Sequence, residues 1–164
     1  MQGYYCAENP QVVVFYNKFA PVAGLHAEYY NDTKLEQLVL TRTDPQINFE
    51  WKTSAIPAPG MNRDHYSVRW TGQVLTPASG NYTFTTISDD GVRLWINGKL
   101  IIDNWRDHTS ETNNSEPILL QANQLYDLKL EFYNSIAEGL IRLLWAYPGQ
   151  ELQLIPSNAL LPHR

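Results

Sequence analysis

Residues 66–75 alternate. Tyr66, Val68, Trp70 and Val74 fall on one face, and Ser67, Arg69 and Thr71 on the other. A period of two is the signature of a strand with one buried side. The same pattern recurs in short runs separated by turn chemistry, and no stretch carries the 3.6-residue period of an amphipathic helix. The alternation predicts strands over residues 11–16, 24–30 and 47–51, the last with Ile47, Phe49 and Trp51 inward. Residues 82–87 then follow as the antiparallel partner of 66–75 across Pro77-Ala78-Ser79-Gly80-Asn81. Residues 92–96 and 99–103 form a hairpin, because Asn97-Gly98 accepts the positive φ angles that a two-residue turn requires. Residues 117–120 are a short strand. Residues 124–133 and 140–147 read as a second hairpin, with Leu128, Leu130, Phe132, Ile141, Leu143 and Trp145 as its apolar face. Residues 31–46 read as polar and irregular, with one helical turn near Thr33 to Leu38. Residues 104–116 read as a long polar loop, and the tail as an edge strand or packed arm. About ten short strands imply an all-β domain, an antiparallel β-sandwich or partly closed β-barrel.

At 164 residues the chain makes one domain with a real core. Its 12 Lys+Arg against 17 Asp+Glu give a net charge of -5, without a basic run, which argues against nucleic acid as a partner. A single cysteine, Cys6, excludes an intrachain disulfide. No apolar run approaches the roughly 18–20 residues of a membrane span, so direct membrane insertion is not expected. Residues 1–24 lack the basic and apolar regions of a signal peptide. The chain is therefore expected to be a piece of a larger secreted protein.

The chemistry concentrates at Ser88-Asp89-Asp90-Gly91. Adjacent carboxylates at a strand tip offer a seat for a hard cation. In ordinary extended backbone they point to opposite faces, so they share an ion only where the peptide between them departs from strand geometry. Read without a metal, the pair is a solvated turn facing Arg69 or Arg93.

Several segments, in order, carry a resemblance. They are Gly24-Leu25-His26-Ala27-Glu28-Tyr29-Tyr30, Tyr66-Ser67-Val68-Arg69-Trp70-Thr71-Gly72 and Ser79-Gly80-Asn81-Tyr82-Thr83-Phe84. Ser88-Asp89-Asp90-Gly91-Val92-Arg93-Leu94-Trp95-Ile96 and Ile102-Asp103-Asn104-Trp105 complete the set. From about Gly24 to Pro162 the chain resembles the PA14 domain. Residues 1–23 are then an N-terminal arm or added strand, and 24–164 the PA14-like domain. The resemblance implies a β-sandwich module of toxins, glycosidases, adhesins and flocculins. In adhesin members an Asp-Asp pair joined by a cis peptide, with an asparagine from a second loop, binds one calcium ion that sugar hydroxyls also coordinate. Carried onto this chain, the metal residues are Asp89, Asp90, Asn134 and, through backbone, Ile136. Other members serve as metal-independent accessory or protein-interaction domains, and that reading stays open.

Around the pair, Trp105, Arg106, Asp107, His108 and Tyr133 are candidate ligand contacts. Trp105 is either a stacking surface for a sugar or a plug at the base of its own loop. Tyr133, next to inward-facing Phe132, is expected to point away from the core. No enzyme is expected. Glycoside hydrolysis needs two carboxyls facing each other across roughly 5–9.5 Å, which neighbours in sequence do not supply. His26, His65, His108 and His163 show no zinc spacing. The expected partners are carbohydrate and further domains of a longer chain, at an extracellular or cell-surface location.

Overall fold

The structure is a computed structural model that describes residues 23–163. Thirteen strands follow one another with a single 3-10 turn at Ser157–Ala159. They are β1 (Leu25–Tyr30), β2 (Leu38–Asp44), β3 (Asn48–Trp51), β4 (Tyr66–Thr76), β5 (Gly80–Asp89), β6 (Val92–Ile96) and β7 (Lys99–Asn104). After these come β8 (Glu111–Asn114), β9 (Ile118–Leu120), β10 (Gln124–Asn134), β11 (Gly139–Tyr147), β12 (Gln150–Leu154) and β13 (Leu160–Leu161). No helix of the described residues is long and apolar enough to cross a membrane.

Two antiparallel sheets face each other. The first runs β2-β1-β4-β10-β6-β7, with β13 beside β4, and the second runs β12-β11-β5-β8, with β3 beside β11 and β9 beside β5. The sheets stay separate, so the fold is a sandwich and not a closed barrel. The alternation correctly gives the inward faces. Tyr66, Val68, Trp70 and Val74 of β4 meet Leu128, Leu130 and Phe132 of β10, and Tyr82, Phe84, Ile141, Leu143 and Trp145 come from the other layer. At the Asn97-Gly98 hairpin φ is 48° and 74°, as its turn requires.

Strand partnership departs from the sequence reading. Residues 82–87 do not pair with 66–75, because β4 lies between β1 and β10 while β5 lies between β11 and β8 in the other sheet. The supposed hairpin of 124–133 with 140–147 is likewise a crossover, β10 in the first sheet and β11 in the second. A period of two reports which side of a strand is buried and says nothing of its neighbour. The irregular stretch 31–46 contains strand β2, and residues 33–37 before it form turns and no helix, organised by Asp32 accepting the backbone N–H of Lys34, Glu36 and Gln37. The polar loop 104–116 contains β8, paired with β5 from Thr85 to Ser88. The expected strand at residues 11–16 lies outside the described residues.

Two polar networks stiffen the first sheet. Asp44, 3% exposed, accepts hydrogen bonds from Tyr29 Oη at 2.6 Å, Trp70 Nε1 at 2.8 Å and Arg42 Nε at 2.6 Å. On the outer face the register sets Glu28 opposite Arg69, Arg69 opposite Glu131, Glu131 opposite Arg93, and Arg93 opposite Asp103. Opposite charges thus alternate across five strands, each in a favourable cross-strand position. Glu131, nearly buried, holds Arg69 Nε at 3.0 Å and Arg93 at 2.6 Å.

Candidate functional site

Three chain crossovers meet at one pole. Residues 90–91 pass from β5 to β6, residues 105–110 from β7 to β8, and residues 135–138 from β10 to β11. Between them lies a cleft of about 520 Å³ lined by Asp89, Asp90, Asp107, His108, Thr109 and residues 135–138. Of the residues singled out from sequence, Asp89, Asp90, Asp107, His108 and Ile136 all line this cleft.

The peptide bond between Asp89 and Asp90 is cis, as the resemblance implies. Asp90, 6% exposed, is tied on both sides: Oδ1 accepts the His108 N–H at 2.9 Å and Oδ2 accepts the Ser135 N–H at 2.8 Å. One carboxylate thus joins two crossovers. Asp89 is less enclosed. Burial, then the adjacent Asp90 charge, pushes its carboxyl above the usual aspartate range, while the nearby His108 works the other way. Among the described residues neither acid pairs with an arginine: Arg69 and Arg93 are both committed to Glu131. The metal-free reading of the pair as a turn facing those arginines therefore loses its partners.

Asn134 ends β10 on its inward face and is 0% exposed. Neither its Oδ1 nor its Nδ2 has a hydrogen-bond partner among the described residues. Buried amides are ordinarily satisfied. An unpartnered amide Oδ1 one residue before Ser135, whose N–H is bound by Asp90, is a donor of the kind an oxygen-seeking cation uses. The donor set is all oxygen, so Asp89, Asp90, Asn134 and the Ile136 carbonyl fit a calcium ion in kind.

The neighbouring candidates divide. Tyr133 does not offer an open stacking face: it is 7% exposed, its Oη donates to Asp107 Oδ1 at 2.7 Å, and its ring lies over Gly91. The alternation put it outside the main core, which holds, but the 105–110 crossover folds back over it. Trp105 is half-buried, edge-on to Tyr133 at 4.7 Å with the Arg93 guanidinium 4.0 Å from its ring centroid. Arg106 turns away from the cleft to form two 2.8 Å bonds with Glu111. Asp107 and His108 remain as cleft-lining contacts.

The sequence reading misses the buttress beneath the third crossover. Asp64 Oδ1 accepts the Ala137 N–H at 2.8 Å, and the His65 N–H donates to the Ser135 carbonyl at 2.9 Å. His65 and Ala137 both take positive φ, 54° and 69°. Histidine is enriched in left-handed backbone but alanine is not, so the sequence marks at most one side of the contact.

Comparison with known proteins agrees with this architecture. The chain is 42% identical over 140 residues to the anti-sigma-I factor RsgI3 of Acetivibrio thermocellus, matching 85% of this chain and 21% of that protein. It thus spans about a fifth of that relative's length. Among solved structures, a PA14 sugar-binding domain from an RTX adhesin superposes with a TM-score of 0.71 at 16% identity, over 87% of this chain and 99% of the other. The A domain of epithelial adhesin 6 from Candida glabrata, solved with Galβ1-3GlcNAc, gives 0.70 at 14% identity, over 89% of each chain. The family model described as PA14 domain matches residues 21–159. The chain belongs to the PA14 domain family.

Proposed function

We propose that this chain is a calcium-dependent carbohydrate-binding module of a larger secreted or cell-surface protein. The observation that carries the reading is the buried, unpartnered side chain of Asn134, next in the chain to Ser135, whose N–H Asp90 accepts. Asp89, Asp90, Asn134 and the Ile136 carbonyl would hold the ion. A bound calcium supplies coordination positions at which vicinal sugar hydroxyls replace water. Asp90 holds the 105–110 and 135–138 crossovers at fixed spacing, and Asp107, His108 and Glu138 line the approach to it. These neighbours would select the sugar.

The test is isothermal calorimetry with calcium alone, then with Galβ1-3GlcNAc, Galβ1-4GlcNAc and a wider glycan panel, each repeated in chelator. Calcium is expected to bind the wild type and not Asp89→Asn, and any glycan signal is expected to vanish in chelator. Absence of calcium binding to the wild type would overturn the reading.

A second reading is favoured by the 42% identity to an anti-sigma-I factor. In that reading the module would be the ligand-meeting part of a regulator. The same cleft would carry that role, and it differs in what the rest of the longer chain does with occupancy.

A further inference from the structure

The opposite pole carries a second cleft, of about 360 Å³. Tyr66 and Thr76 bound β4, and ten residue steps at about 3.3 Å place the two poles roughly 30 Å apart. The far cleft is lined by Leu75, Pro77, Asn123, Trp145, Tyr147 and Asn158, with no charged side chain. Its volume lies within the roughly 300–1,000 Å³ of small-ligand sites.

Trp145 is 1% exposed, yet its Nε1–H has no acceptor among the described residues. Tyr147 is half-buried, stacked on Tyr82 at 4.8 Å and edge-on to Trp145 at 5.4 Å. The walls are fixed. The Asn123 N–H donates to the Thr76 carbonyl at 2.6 Å, the Ala159 N–H to the Pro156 carbonyl at 3.0 Å, and Tyr82 Oη to the Ala78 carbonyl at 2.8 Å.

We propose that this cleft is a second, metal-independent site for a neutral oligosaccharide. The exposed Asn123 and Asn158 each supply donor and acceptor to hydroxyls. The aromatic wall suits the apolar face of a pyranose. The lack of charge selects against anionic sugars and against hard cations. This site shares no residue with the Asp89–Asp90 cleft, so the two stand or fall separately.

The experiment is a proton–nitrogen correlation NMR titration of the whole chain in chelator, with cellohexaose and maltohexaose as probes. Five tryptophans give five indole signals, and Trp145→Phe assigns the one of interest. The expected result is saturable movement of the Trp145 indole and of the Asn123 and Asn158 amides, with the Asn134 amide unmoved. Tyr147→Ala and Asn158→Ala should each weaken it at least tenfold, while Asp89→Asn leaves it unchanged. Because Tyr147→Ala opens a gap beside Tyr82, exposed Asn158→Ala is the control against loss of folding. No movement at millimolar sugar, or movement that both variants leave intact, overturns the proposal. So does movement with a proline-rich peptide and with neither sugar.

Discussion

Gly91 lies directly under the ring of Tyr133. A Cβ at Gly91 would fall 2.1 Å from Tyr133 Cε1 and 2.7 Å from its Cδ1. The backbones are also joined, the Tyr133 N–H donating to the Gly91 carbonyl at 3.0 Å and the Asp90 N–H to the Tyr133 carbonyl at 3.3 Å. The glycine after the acid pair is therefore there for close approach. Gly91→Ala must displace the ring that Asp107 and Trp105 rest on, an overpacking that costs about 1–3 kcal/mol. Chemical denaturation measures that loss. Gly98→Ala is the comparison, since a Cβ there meets nothing within 4 Å and only its positive φ is penalised.

The two acids of the pair should respond differently to neutralisation. Asp90 accepts two backbone N–H groups, so Asp90→Ala is expected to cost about 2–3 kcal/mol even in chelator. Asp89 carries a charge that burial and Asp90 disfavour. A raised folded pKa means that its stabilising contribution is full at low pH and is lost as pH rises through that pKa. Asp89→Asn in chelator at neutral pH is therefore expected to be stable to within about 0.5 kcal/mol or slightly stabilised. Thermal melts of both variants, with and without calcium, check the contrast. Neither should keep a calcium-dependent rise in melting temperature.

Asp44 is the main structural carboxylate of the first sheet. Asp44→Ala leaves the Trp70 indole N–H, the Tyr29 hydroxyl and the Arg42 guanidinium without their shared acceptor. The expected loss is about 3–5 kcal/mol, read from urea midpoints. Calcium binding should survive in the folded fraction, because Asp44 ends β2 and does not line the cleft.

Alkali should unfold this protein through its phenols. Burial, then the Glu28 hydrogen bond, pushes Tyr30 up to about 12. Burial and nearby carboxylates push Tyr29, Tyr66 and Tyr133 higher still. Each is raised in the fold, so the native state holds its proton longer than the unfolded chain. Stability is full below about pH 10 and falls as pH rises beyond it. Tyrosinate absorbance should lag the ordinary phenol curve and then rise together with loss of the circular dichroism signal. A titration in which every tyrosine ionises near pH 10 without unfolding would contradict this.

What the residues disclosed was orientation. The alternation in β4 and β11 identified the inward side chains because both strands are central and one face of each is fully buried. It misled where partnership was at stake, since β4 with β5 and β10 with β11 are neighbours in sequence and members of different layers. Edge strands were harder. Glu111-Thr112-Asn113-Asn114 has no apolar residue, and is held by its ladder with β5 and by Thr85 donating to Asn114 at 2.7 Å. β2 keeps most side chains partly exposed, and its one buried residue is the charged Asp44, which hydropathy assigns to solvent. At the site, the sequence singles out Asp89 and Asp90, which line the cleft, and Asn134, which is buried. The burial of Tyr133 was not, because it depends on a crossover distant in sequence folding back upon it.

Each crossover that bounds the acidic cleft carries the backbone from one sheet to the other. A molecule seated there touches both layers at once and acts as a rivet through the sandwich. Tension on that molecule would be shared between β5, β6, β10 and β11 and would load them in shear, since the ends of all four converge on the same pole. Peeling one edge strand from its neighbour, the weak mode of a β-sheet, is not the direction in which such a pull would act.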